Sequence, residues 1–169
     1  MKLLRHREFI NTECSLVGNP TLRVKAIRVD ANKQSLKQQM GCHRLKSCDY
    51  FRRKRDSFYF IEISDFHQQL IDLTKKNNSQ IASQKIKEEV RLKLSETLLL
   101  YYQLLQQCTF KSYNQSLKNK ALLTVCKKNR SDVIIFAKLE RELSRYYCPT
   151  HISSIKVIPY TQLENIFSQ

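Results

Sequence analysis

The sequence predicts an α/β protein in which a mixed central sheet is flanked by helices. Apolar and basic residues alternate over residues 21–30, which is typical of a half-buried strand. Two short apolar runs, residues 48–51 and 58–64, indicate a neighbouring pair of strands. Apolar residues then recur every three or four positions over residues 85–107, which predicts a long amphipathic helix across the sheet. With 169 residues, the chain fits a single domain, residues 1–169, with its own core.

The same patterns predict the remaining elements. Asp65 is placed to cap a helix, and residues 32–40 form a loop or a short helix. Helices are predicted over residues 66–73, 139–147 and 160–167, and strands over residues 121–126, 132–136 and 155–158. The side chains expected to be buried with the long helix are Leu94, Leu98, Tyr101, Ile61, Ile63, Leu123, Val125 and Ile135.

Positive charge is in large surplus. The chain has 30 Lys and Arg against 15 Asp and Glu, a net charge of +15. Six of the basic residues lie in residues 43–55 and six more in residues 111–130, with aromatic residues beside both runs. Basic side chains attract phosphates and aromatic rings stack on bases, so nucleic acid is the expected partner. The expected contacts are Arg44, Lys46, Arg52, Arg53, Lys54, Arg55, Lys118, Lys120, Lys127, Lys128 and Arg130.

Several classes of protein are disfavoured. The longest apolar run, residues 98–102, is far short of the length of about 20 residues that crosses a membrane. The first residues lack the apolar core of a secretory signal, and the six cysteines form no Cys-x-x-Cys pair. No glycine-rich phosphate loop is present. We therefore expect a protein that is neither membrane-bound nor an NTPase, and that is cytoplasmic, with a nuclear or organellar location as the alternative.

Two acids stand out on the predicted strand pair. Asp49 opens the first strand and Glu62 lies near the end of the second. If the strands are neighbours, both carboxylates project from one end of the sheet, where they suit a magnesium ion. The alternative is a hairpin in which Asp49 caps a strand and Glu62 faces solvent.

This order of elements resembles the core of the PD-(D/E)xK nuclease superfamily, which has a restriction-endonuclease-like fold. Asp49 matches the first acid of the motif, and Glu62 matches the acid of its E-x-K element. Ser64 stands where the motif has lysine, and Cys48 where it has proline. The resemblance covers about residues 21–126, which leaves residues 131–169 as a C-terminal strand-helix extension.

The resemblance implies a metal-dependent nuclease that cleaves phosphodiester bonds of DNA or RNA, with Mg²⁺ or Mn²⁺ held by Asp49 and Glu62. A cation from elsewhere must then replace the missing lysine. The candidates are Lys85, Lys87, Arg91 and Lys93 on the long helix, with Lys46 before Asp49. We expect Lys87 and Arg91 to act with the two acids in catalysis, although the helix face that meets the sheet decides among the four helix residues.

The resemblance also suggests a further carboxylate, from Glu8 or Glu13, and Ser64 or Asp65 as a completing ligand. Two other functions stay open beside the nuclease. Ser64 in place of lysine favours a catalytically inactive nuclease-like domain that binds nucleic acid or recruits a protein partner. The basic surface also suits a structural subunit that docks onto an acidic protein or forms a homo-oligomer.

Overall fold

The computed structural model describes residues 11–13, 24–30, 35–76, 78–107, 118–125 and 132–168. The strands in this part of the chain are β1 (Asn11–Glu13), β2 (Lys25–Arg28), β3 (Tyr50–Lys54), β4 (Ser57–Ile63), β5 (Lys118–Val125) and β6 (Ser154–Pro159). The helices are α1 (Leu36–Gln39), α2 (Phe66–Lys76), α3 (Ser79–Gln107), α4 (Asp132–Tyr146) and α5 (Gln162–Ser168).

The described strands form one mixed sheet in the order β1-β2-β3-β4-β5-β6. The first four strands pair antiparallel in succession, and β4, β5 and β6 then run parallel. A parallel neighbour requires a long crossover, and α2 and α3 lie between β4 and β5 in the chain. The predicted mixed sheet with flanking helices is confirmed. None of the described helices has the length and apolar character needed to span a membrane.

Side chains of β4 divide between two cores because successive residues of a strand point to opposite faces. Phe58 and Phe60 belong to the larger core, with residues of α3 and α4. Ile61 and Ile63 belong to the smaller core on the other face, with residues of α5. The sheet is therefore covered by α3 and α4 on one face and by α5 on the other.

Most of the predicted core is confirmed. Leu94, Leu98 and Tyr101 of α3 are buried, and so are Ile61, Ile63 and Leu123 in the sheet. Ile135 is only half-buried, and the Val125 side chain lies outside the described residues. The Asp65 cap is also confirmed, because its Oδ1 accepts a hydrogen bond from the Gln68 backbone N–H at 3.0 Å.

The strand predicted over residues 132–136 is wrong, because these residues begin α4. Val133 and Ile134 are 42% and 78% exposed, whereas Phe136, Leu139 and Leu143 are buried. That spacing of three and four residues is helical, so packing against α3 and β6 overrides the apolar run that favoured a strand.

The turn between the two central strands is shorter than predicted. Arg52, Arg53 and Lys54 belong to β3, and Lys54 pairs with Ser57 across a two-residue turn. Arg55 takes a φ of 51° in that turn, as the first residue of a tight hairpin turn must. Because β3 extends this far, its basic residues lie at the end of the sheet remote from Asp49.

Candidate active site

Asp49 and Glu62 are brought together by the β3–β4 hairpin. Tyr50 pairs with Ile61, and one further step of this antiparallel register sets Asp49 opposite Glu62. Asp49 Oδ2 also accepts a hydrogen bond of 2.7 Å from the Ile63 backbone N–H. Because Asp49 and Glu62 alternate with Tyr50 and Ile61, both carboxylates lie on the face covered by α3.

Lys93 of α3 is the cation that meets this pair. Its Nζ lies 2.6 Å from Glu62 Oε1, and the Glu62 residue is only 1% exposed. The Ser64 hydroxyl donates to the same Oε1 at 2.5 Å. Ser64 therefore contacts Glu62 through a neutral hydroxyl, while the positive charge comes from α3.

Burial governs the protonation of Asp49. Burial and the neighbouring charge of Glu62 raise the pKa of Asp49 to about 7, against the opposing effects of the Ile63 N–H and Lys93. Burial lowers the pKa of Lys93, but the attraction of Glu62 and Asp49 outweighs it and the net shift is upward. The two acids face one another, and the negative charge of Glu62 is one cause of the raised pKa of Asp49.

The segment before Asp49 is attached to α3. The Cys48 backbone N–H donates to Thr97 Oγ1 at 2.8 Å, and both residues are fully buried. Thr97 Oγ1 itself donates to the Lys93 carbonyl at 2.6 Å. In the same turn of α3, Glu96 Oε2 accepts a hydrogen bond from the Lys46 backbone N–H. A proline in place of Cys48 would lack the N–H that bonds to Thr97.

The other cations predicted for the site lie elsewhere. Lys87 Nζ lies 3.1 Å from Glu142 Oε2 of α4, and the Arg91 guanidinium lies 3.8 Å from the centroid of the Tyr146 ring. Both therefore face α4, whereas Lys93 faces the acids. The Lys85 side chain is exposed.

Asp30 is a neighbour of the site that the sequence pattern did not reveal. Its backbone N–H donates to the Asp49 carbonyl at 3.3 Å, and its negative charge contributes to the raised pKa of Asp49. Lys37 neutralises it, with Nζ 2.7 Å from Asp30 Oδ1. Asp30 ends an alternating segment and would have been recognisable only from the pairing of β2 with β3.

The basic residues and the acids occupy opposite ends of the β3–β4 hairpin. The acids lie beside Ile63, whereas the hairpin turn and Lys118 lie beside Ser57. Glu62 and Ser57 are five residues apart on β4, which separates them by about 17 Å at about 3.3 Å per residue. Arg53, Arg55 and Lys118 are exposed at the turn end. We call these three residues the hairpin basic cluster.

The remaining basic residues predicted to bind nucleic acid are distributed around these two ends. Arg44 and Lys46 are exposed before Asp49. Lys54 Nζ donates to the Ile166 carbonyl at 2.6 Å. Arg52 stacks over Phe167 and Lys120 over Tyr59, with centroid distances of 5.3 and 5.6 Å. The predictions for Lys127, Lys128 and Arg130 lie outside the described residues.

The side chains that could hold a metal ion at this site are few. Within the described ranges, no three His, Cys, Asp or Glu side chains form a metal-binding group. Of the suggested third carboxylates, Glu8 lies outside those ranges, and the Glu13 backbone pairs with Lys25, away from Asp49. Two carboxylates still fit magnesium, because this ion commonly takes one or two protein carboxylates and completes its shell with water and phosphate oxygens.

Comparisons with known proteins add no relative to this description. No protein-family model, no curated protein and no solved structure matches the chain. The case for a function therefore depends on the residues and their geometry.

Proposed function

We propose that this protein is a metal-dependent nuclease of the PD-(D/E)xK type, with Asp49 and Glu62 as metal ligands and Lys93 in the role of the motif lysine. The observation that carries the proposal is the 2.6 Å contact between Lys93 Nζ and Glu62 Oε1. Glu62 lies on β4, directly opposite Asp49 in the hairpin. The order of elements also supports it, because two antiparallel strands carrying the acids are followed by a helix and a parallel strand.

Each residue has a physical role in this proposal. Asp49 and Glu62 would hold Mg²⁺ or Mn²⁺, and the ion would polarise the phosphodiester and lower the pKa of a bound water. The Ile63 N–H fixes the direction of the Asp49 carboxylate. Lys93 would offset the negative charge that develops on the phosphate during attack. The hairpin basic cluster would bind the nucleic acid backbone at a distance from the phosphodiester bond that is cleaved.

A specific observation favours a second function, a nuclease-like domain that binds nucleic acid without cleaving it. The Lys93 ammonium group already neutralises Glu62 at 2.6 Å, in the place where a metal ion would act. Ser64, in the motif position of lysine, donates only a neutral hydroxyl to that acid. In this function the Lys93–Glu62 pair is structural, and the basic surface alone carries the activity.

The experiment that tests the proposal is cleavage of single- and double-stranded DNA and RNA, with Mg²⁺, Mn²⁺ or chelator. We expect cleavage that requires metal, and a loss of about 10²-fold or more in Asp49→Asn and Lys93→Met, by analogy with removal of one electrostatic stabiliser. The matched controls are Asp72→Asn on α2 and Lys138→Met on α4, whose side chains are 56% and 71% exposed. No cleavage by the unmodified protein, together with salt-dependent binding, would support the second function instead.

A further inference from the structure

Thr97 makes two hydrogen bonds with a single buried hydroxyl. Its Oγ1 accepts from the Cys48 backbone N–H at 2.8 Å and donates to the Lys93 carbonyl at 2.6 Å. Thr97 and Cys48 are both 0% exposed, so no solvent competes for the bond between them. A buried N–H that loses its acceptor is costly, so the fold strongly favours this contact.

The contact joins the two elements that carry the site. Cys48 immediately precedes Asp49, whose Oδ2 is bonded to the Ile63 N–H of β4. Lys93 lies one turn before Thr97 on α3, and its Nζ is bonded to Glu62. The Thr97 hydroxyl therefore bonds to two main-chain groups. One belongs to Cys48, which precedes Asp49, and the other belongs to Lys93, which pairs with Glu62.

We propose that Thr97 is a positioning residue, which fixes Asp49 relative to Lys93 and Glu62 through the Cys48 N–H. The inference rests on the proposed function for its consequence in cleavage, but the geometric part does not. Sites of this kind lose activity steeply when a supporting contact is lost, because the reacting groups shift by a fraction of an ångström.

The test compares Thr97→Val with Thr97→Ser and with Thr74→Val. Valine removes the hydroxyl, and serine retains it. Thr74 is a matched control because its Oγ1 donates to the Leu70 carbonyl at 2.7 Å within α2, so it has the same type of helix bond without the bond to Cys48.

Amide hydrogen exchange measures the geometric part without any need for cleavage. We expect Thr97→Val to speed exchange of the Cys48 amide and also of the Ile63 amide, because the latter is bonded to the Asp49 carboxylate. The Phe60 amide in the middle of β4 serves as the internal reference for general loosening. Thr97→Ser and Thr74→Val should leave the Ile63 amide unchanged. Faster exchange at Cys48 with an unchanged Ile63 amide would overturn the proposal.

Cleavage kinetics measure the consequence. We expect Thr97→Val to lower kcat by at least 10-fold with KM within 2-fold, and Thr97→Ser to restore most of kcat. Unchanged kcat in an active protein would also overturn the positioning role. If the unmodified protein cleaves nothing, the proposed function fails, and the exchange rate at Ile63 alone decides whether Thr97 positions Asp49.

Discussion

The ammonium group of Lys93 lies 2.6 Å from Oε1 of Glu62, at the point where α3 crosses the second half of β4. Glu62 is almost completely buried, and the Lys93 side chain is 22% exposed. A carboxylate this deeply buried requires a partner charge, so the ion pair is part of the fold as well as of the site.

The first prediction concerns the stability of this ion pair. Lys93→Met should lower the free energy of unfolding by about 3–5 kcal/mol, because it leaves the Glu62 carboxylate buried without its cation. The double variant Glu62→Gln/Lys93→Met should recover much of that loss, since no uncompensated charge remains. Urea unfolding of the two single variants and the double variant measures the coupling. Additive losses would show that the ion pair has no stabilising interaction energy.

The second prediction concerns pH. The pKa of Asp49 is about 7 in the folded protein, above its ordinary value of 3.8, so the folded state binds a proton more tightly than the unfolded state. The resulting stabilisation is complete below about pH 3.8 and is lost as the pH rises through about 7. As the pH rises across this range, the free energy of unfolding of the unmodified protein should therefore fall relative to that of Asp49→Asn.

Added metal gives a second test of the charge on Asp49. If Asp49 is a metal ligand, Mg²⁺ or Mn²⁺ must displace its proton, so the stabilisation by metal should be larger at pH 8 than at pH 6. Thermal unfolding with metal and with chelator at both pH values measures this. Equal stabilisation of Asp49→Asn by metal would place the binding elsewhere.

The third prediction concerns binding of nucleic acid by the hairpin basic cluster. Affinity should fall steeply with salt, and Arg53→Ala/Lys118→Ala should reduce the slope of log K against log salt by about 2, one for each lost phosphate contact. The matched control is Lys75→Ala/Lys138→Ala, whose side chains are 70% and 71% exposed on α2 and α4. Equal slopes in the two double variants would show that nucleic acid responds to the net charge of the protein and not to the hairpin basic cluster.

The separation of the two ends predicts a dependence on substrate length. Arg53 lies four residues from Asp49, and Lys118 lies beside Ser57, five residues from Glu62. At about 3.3 Å per residue the cluster and the acids are about 13 to 17 Å apart, which corresponds to about 4 to 5 base pairs at about 3.4 Å each. Cleavage of longer duplexes should suffer in Arg53→Ala/Lys118→Ala, whereas duplexes too short to reach both ends should be cut equally by the variant and the unmodified protein. A constant ratio across all lengths would contradict this arrangement.

The fourth prediction tests how α3 lies on the sheet. Leu98→Ala should cost about 2–5 kcal/mol, because this side chain is 8% exposed within the larger core. The neighbouring Leu99 is 49% exposed, so Leu99→Ala should cost much less. Chemical denaturation of both variants gives the comparison, and similar losses would mean that the helix presents a different face.

The sequence predicted the parts of the fold that local patterns determine. The β3–β4 pair, the buried stripe of α3 and the Asp65 cap follow from periodicity and capping, which depend on neighbours in the chain. The run from Val133 to Phe136 has the same apolar character in a strand or a helix. Its packing against α3 and β6 favours the helix, and no local pattern contains that information.

The site was predictable to a similar extent. Asp49 and Glu62 were recognisable as a pair because they flank one hairpin. To choose Lys93 over Lys87, one must know how α3 is rotated about its own axis. That rotation is a property of the whole interface with β4 and α4. Arg53 and Arg55 follow Asp49 closely in the sequence, but an extended strand carries consecutive residues steadily away from the acids.

The two-residue turn at Arg55 has a consequence for the order of assembly. The β3–β4 hairpin needs only local contacts, so it can form while its acids are still surrounded by water. Lys93 lies 31 positions after Glu62, so its ammonium group arrives only when α3 docks. Dehydration of the Glu62 carboxylate is therefore deferred to the docking step, and any fluctuation that lifts α3 from the sheet rehydrates it.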